Sequence, residues 1–200
     1  MTTTKSLIFC TLAFLFSAFT EPDKGAYFEV ATVSEVSSWM ESMVPDAEPP
    51  YYKIRLKGDD SELGMIVYPP MSDKEFTGDD VLAMIEELLK YKGDTRKCFM
   101  KIKCNTKNLG YAGAKSQYSL QLEALYIINS LFFSDFTTYS PCPILVDSAT
   151  DEEATIDGAI IDKAYVAYEA WFTKVKEIGV AKAKADNLEP LANSGLKWFK

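Results

Sequence analysis

The sequence predicts a helix-dominated α+β fold, a compact single domain with about four to five helices and a small β-hairpin. Three observations carry this. Apolar residues recur every three or four positions from Ile161 to Ile178, the period of a long amphipathic helix. Residues 119–133 are apolar around most of a helical circumference, the pattern of a central buried helix. Tyr51 to Lys57 alternates instead, with Tyr52, Ile54 and Leu56 on one side and Lys53, Arg55 and Lys57 on the other, which is strand period. An all-α bundle is the alternative, because residues 97–104 read as strand or helix.

The chain opens on Met1-Thr-Thr-Thr-Lys5, then an almost wholly apolar run from Ser6 to Phe19, then polar Glu21-Pro-Asp-Lys24. This is the pattern of a secretory signal peptide, with Ala18 and Thr20 as the small residues before a cut after Thr20. The run is shorter than the roughly 20 residues of a membrane span. Leu7-Ile-Phe-Cys10 also raises a lipid anchor at the cell envelope. Bulky Phe9 stands where such a site wants a small residue, and Cys10 falls inside the apolar run, so periplasmic or secreted export leads. The expected organisation is a leader at 1–20 and one globular domain at 21–200.

Thr32-Val-Ser-Glu35 has the form of a capping box, and Val33, Val36, Trp39, Met40 and Met43 follow at helical spacing to Pro45. The strand at 51–57 and the apolar run 65–68 are expected to pair as the hairpin, turning at Gly58-Asp-Asp60. Thr77-Gly-Asp-Asp80 opens the next helix, with Val81, Leu82, Met84, Ile85, Leu88, Leu89 and Tyr91 on one face and Gly93 as its C-terminal cap. As a strand, residues 97–104 would put Cys98, Met100, Ile102 and Cys104 on one face. Residues 105–115 read as a loop. Ser119 is the expected cap of the central helix, residues 144–146 a short extended segment, and Asp157 the start of the longest helix. Gly179 ends or kinks that helix, 180–186 is a weaker helical piece, and the tail from Pro190 to Phe199 packs back on the body.

Composition excludes several functions. Hydrophobic residues at 48% and aromatics at 13% give enough apolar side chain for a core, against disorder. The net charge is −8, and loss of Lys5 with the leader takes it to −9, so no nucleic-acid partner is expected. With no histidine there is no Ser-His-Asp triad, Cys-His pair or imidazole metal site. No cofactor fingerprint, phosphate loop or metal motif appears. Cys98, Cys104 and Cys142 remain after the leader; export permits a disulfide among them, and their odd number leaves at least one thiol outside an internal bridge.

The candidate chemistry is sparse. Ser194-Gly-Leu-Lys197 has the S-x-x-K form, but the turn signal Asn193-Ser-Gly195 accounts for it. Asp147 with Asp151, Glu152 and Glu153 reads as a solvated acidic loop, as do Asp59, Asp60 and Glu62. Glu123, with Gln121 and Asn129, is a polar exception in the apolar helix and is read first as serving the helix dipole. Tyr168, Trp171, Trp198 and Phe199 are the candidate partner-binding residues, although an aromatic stripe at this spacing is more often core. The leading expectation is an exported non-catalytic binding module for a protein or peptide, inhibitor- or immunity-like by analogy. The alternatives are an exported carboxylate-dependent hydrolase, such as a glycosidase built on a pair like Asp147 and Glu123, and a structural cell-envelope component.

Overall fold

A computed structural model describes residues 26–33, 51–58, 76–98, 118–133, 144–154 and 157–199. Among them are four helices and six short strands in two sheets, so the fold is α+β and the all-α alternative is set aside. The elements are β1 (Phe28–Val33), β2 (Tyr51–Leu56), α1 (Gly78–Leu89), β3 (Lys97–Cys98), β4 (Tyr118–Ser119), α2 (Leu120–Phe132), β5 (Leu145–Asp147), α3 (Gly158–Ile178), α4 (Val180–Ala185) and β6 (Leu196–Trp198).

The larger sheet runs β1-β2-β3-β4, antiparallel between β1 and β2, parallel between β2 and β3, antiparallel between β3 and β4. The alternation read in 51–57 holds: Ile54 and Leu56 are buried, and Phe28 lies opposite Leu56 on the same face. On the other face Glu29 stands opposite Arg55 and pairs with it at 2.7 Å. The antiparallel partner of β2 is therefore β1. The expected partner, 65–68, lies outside the described residues. Val33, expected at the start of a helix, ends β1 opposite Tyr51, and Thr32 lies opposite Tyr52. A helix cap and a strand share extended φ and ψ, so the capping pattern did not exclude a strand there. The pairing that decides it lies some twenty residues away. Residues 34–50 lie outside the described set.

Helix α1 starts as its sequence dictates. The Thr77 hydroxyl accepts from the Asp80 amide at 3.2 Å, and the Asp80 carboxylate accepts from the Thr77 amide at 3.0 Å. Val81, Met84, Ile85 and Leu88 form its buried face. It stops at Lys90, and a turn follows to Gly93, which sits at φ +81° with its N–H on the Gln121 side chain at 3.0 Å. Gly93 thus closes the turn after the helix and is not its cap.

Helix α2 is central. Every residue from Leu120 to Ser130 is buried, as an apolar circumference predicts. Ser119 occupies the N-cap position, yet its hydroxyl makes no cap bond. The amides of Leu120 and Gln121 are taken instead by the backbone carbonyls of Arg96 and Asp94, at 3.0 and 3.1 Å.

Helix α3 begins at Asp157, whose carboxylate accepts from Ala159 and Ile160. It buries Ile161, Ala164, Tyr165, Tyr168, Trp171, Phe172 and Val175, the stripe its period predicts. Gly179, at φ +83° and ψ 151°, ends α3 and starts α4. The tail returns as β6, antiparallel to β5 with Trp198 opposite Leu145. One apolar core joins Phe28 and Ile54 of the sheet, α1, α2, α3, β5 and β6. Among the described residues no helix is long and apolar enough to cross a membrane.

Candidate functional site

A cleft of about 70 Å³ opens between the end of α2, the turn after α4 and strand β6. Phe133, Pro190, Leu191, Leu196 and Trp198 give it apolar walls, Asn129 is its buried polar residue, and Glu189 and Lys197 contribute charge. The local sequence explains the shape. Pro190 cannot continue a helix, and Asn193 (φ +62°) and Gly195 (φ +74°) reverse the chain so that β6 runs back along β5. The Ser194 hydroxyl fixes that reversal, donating to the Leu191 carbonyl at 2.7 Å and accepting from the Leu196 amide at 3.0 Å.

A hydrogen-bond chain leads to Asn129. The Trp198 indole N–H donates to the Tyr168 hydroxyl at 2.8 Å, and that hydroxyl donates to Asn129 Oδ1 at 3.4 Å. This orients the amide, leaving Asn129 Nδ2 as the outstanding donor. Asn129 is 3% exposed, and Nδ2 has no hydrogen-bond partner. A buried donor without an acceptor costs about 1–3 kcal/mol.

The four aromatic residues expected to contact a partner are placed as follows. Tyr168, Trp171 and Trp198 are buried, and Phe199 is half-buried against the core. Trp171 donates to the Leu188 carbonyl at 2.8 Å and meets Phe132 edge-on at 4.8 Å, which ties the α4–β6 connection to α3 and α2. Trp198 meets Tyr126 edge-on at 5.3 Å. Of the four, Trp198 alone lines the cleft. Asn129 was visible in the sequence as a polar residue in an apolar helix and Lys197 as the lysine of the S-x-x-K match, but Phe133 and Glu189 carried no distinguishing signal.

The carboxylates take other places. Glu123 is fully buried, accepts from the Ile54 amide at 3.0 Å and meets the Cys98 thiol. Its role goes beyond the expected service to the helix dipole: it bonds a strand amide beside the short ladder to β3. Glu87 does the same at the sheet edge, accepting from the amides of Tyr27 and Phe28 at 3.0 and 2.8 Å. Asp147 ends β5 and accepts from the amides of Ala149 and Thr150 in the following turn at 2.8 and 3.1 Å, which hold its carboxyl below the ordinary range. Neither Glu123 nor Asp147 lines the cleft, and they share no hydrogen-bond partner among the bonds described. Lys197 pairs with Asp151, so the S-x-x-K residues are engaged in a turn and an ion pair. No group of three acid or cysteine side chains that could hold a metal occurs among the described residues. Cys98 is a free buried thiol, raised well above its ordinary pKa by desolvation and then by Glu123. Cys104 and Cys142 lie outside the described residues, so a bridge between those two is the pairing left open.

Comparison with protein-family models, with curated proteins and with solved structures finds no match to this chain.

Proposed function

We propose that this protein is an exported, non-catalytic binding module that recognises a protein or peptide segment through the cleft between α2 and β6. The observation that carries the reading is the apolar-walled cleft itself, with Asn129 as its buried polar residue and Glu189 and Lys197 at its charged margin. Its volume of about 70 Å³ falls well below the roughly 300–1,000 Å³ of sites that enclose a whole small ligand. It suits one side chain or one peptide unit of a larger partner. The leader pattern at residues 1–20 supports export.

The hydrolase reading receives less support. Among the described residues the cleft is lined by one carboxylate, Glu189, where glycosidase chemistry asks for two. The envelope-component reading needs no ligand and gives the apolar-walled cleft no role. Among the described residues Val166 is the one large hydrophobic side chain that stands exposed, so recognition is assigned to the cleft and not to a flat apolar face.

The test is selection of random displayed peptides on the folded protein, repeated on an Asn129→Leu variant whose melting temperature has been measured. Peptides retained by the wild type and lost by the variant support the reading. No retained peptide, or equal retention by both proteins, refutes it.

A further inference from the structure

We infer that the β5–β6 sheet takes up an extended peptide segment as a third strand, laid along the free edge of β6 and paired with the main chain of Trp198. The inference rests on the binding-module reading and states how a segment is held in the same cleft.

The ladder decides which groups face that edge. Phe199 donates its amide to the Ile144 carbonyl and Ser148 donates its amide to the Gly195 carbonyl, both at 2.9 Å. Residues of an antiparallel strand turn their N–H and C=O alternately toward and away from the partner strand. Lys197, opposite Val146, therefore faces β5, and Leu196 and Trp198 turn away from it. The Leu196 amide agrees, since it donates to the Ser194 hydroxyl at 3.0 Å. Among the described residues neither the N–H nor the C=O of Trp198 bonds another backbone group. The opposite edge of the sheet is closed: the Asp147 amide donates to the Glu152 carbonyl at 2.9 Å, and the Ala154 amide to the Leu145 carbonyl at 2.8 Å. An edge residue with both main-chain groups open is a template for one more strand.

The cleft lies on that open edge. Leu196, Lys197 and Trp198 all line it, although Leu196 and Trp198 are buried and Lys197 between them is exposed. Side chains of successive strand residues point to opposite faces, so three in a row share one cleft only along the backbone edge. The described residues that line it include none of β5, so the edge is the one away from β5. Glu189, Pro190 and Leu191 line the cleft as well, so the edge is recessed behind the turn that follows α4. This decides the occupant. A second copy of this chain carries the same wall before its own β6, and two recessed edges cannot reach one another, whereas a single extended segment can enter. A segment residue opposite Trp198 shares the inward face of Trp198, in a cleft walled by Phe133 and Leu191, and is apolar. Its neighbours turn to the Lys197 face and are polar. Glu189 is exposed and has no ion pair among the described residues, and the chain carries −8, so the flanks of the segment are basic.

The probe is acetyl-Lys-Thr-Val-Thr-Val-Thr-Lys-amide, titrated into the folded protein and followed by amide-correlation NMR and hydrogen exchange. Two further forms are N-methylated, one at both valines and the other at two threonines, so that each has a different hydrogen-bonding edge blocked. The expected result is a saturable shift of the Trp198 backbone amide, with its exchange slowed at least tenfold. One methylated form should bind about tenfold more weakly and the other like the parent, because one edge of the probe carries the contact. Glu189→Lys, a change at an exposed side chain, should weaken the parent probe about threefold. No response of the Trp198 amide overturns the inference, as does equal binding by the two methylated forms. A Trp198 shift that grows with protein concentration and needs no probe also overturns it, because the edge then belongs to a second copy. If displayed peptides are retained in an Asn129-dependent way but the Trp198 amide stays unprotected with the probe, the strand pairing falls and the binding module stands. If the probe protects Trp198 while wild type and Asn129→Leu retain displayed peptides equally, the strand pairing stands and the Asn129-dependent reading falls.

Discussion

Replacing Glu123 by alanine should be among the most damaging single changes in this chain. Its carboxylate is fully buried and accepts from the Ile54 amide of β2 at 3.0 Å. The amide lies beside the β2–β3 ladder, which holds a single residue pair, Tyr52 with Cys98. Alanine removes the acceptor and leaves a buried N–H, a loss of about 1–3 kcal/mol. It also opens a void among α2, β2 and β3, because a closely packed interior relaxes only in part. Together these give about 2–4 kcal/mol, a large share of the roughly 5–15 kcal/mol that holds a domain folded. Glutamine keeps a carbonyl oxygen for Ile54 and nearly the same volume, so Glu123→Gln should lose less than about 1.5 kcal/mol. Urea unfolding followed by tryptophan fluorescence reads the difference, since Trp171 and Trp198 are buried. At about 2 kcal/mol per molar urea, the alanine midpoint should fall by roughly 1–2 M. An alanine variant within about 0.5 kcal/mol of wild type would refute the reasoning. A glutamine variant as unstable as alanine would refute the part that assigns the effect to the acceptor.

Two further outcomes test the backbone and the buried thiol. Gly179 sits at φ +83° and ψ 151° with open space where a Cβ would go, so Gly179→Ala should cost about 1–3 kcal/mol of backbone strain and lower the melting temperature by several degrees. Gly158→Ala, in the first turn of α3 with equal space and no positive φ, should be neutral or slightly stabilising by the same measurement. Burial pushes the Cys98 thiol well above its reference value of 9.0, and burial first, then Glu87, pushes Tyr91 from 10.0 to about 12. Above each reference value the unfolded chain loses the proton before the folded chain does. The stability from these groups is therefore complete below about pH 9 and falls as pH rises toward the folded values. Urea unfolding between pH 8 and 10.5 should show a shallower decline for Cys98→Ala than for wild type, by up to about 1.4 kcal/mol per pH unit. Equal slopes would show that the thiol has no such linkage.

The elements that local chemistry specifies were legible in the sequence. The helix opening at Thr77–Asp80, the start of the longest helix at Asp157, the α3 stripe and the alternation of 51–57 each depend on residues a few positions apart, and each is present in the fold. The burial of α2 on all sides also followed from its composition, because an apolar circumference has no face to give to water. Gly179 was legible as a break for the same local reason.

What joins distant segments was not legible. Thr32-Val-Ser-Glu35 satisfies a capping pattern, and only the register with β2 makes Thr32 and Val33 strand residues. Glu87 looks like an ordinary helix acid and Glu123 like an exception without a partner until the strands beside them leave amides that need an acceptor. The candidate site depends on tertiary structure in the same way. One asparagine in an apolar helix is visible in the sequence, but its donor is left over because Tyr168, held by Trp198, takes the oxygen side of the amide. Local periodicity states which residues must be hidden from water. Which polar group is hidden with them, and whether it finds a partner, is fixed when the elements close on one another.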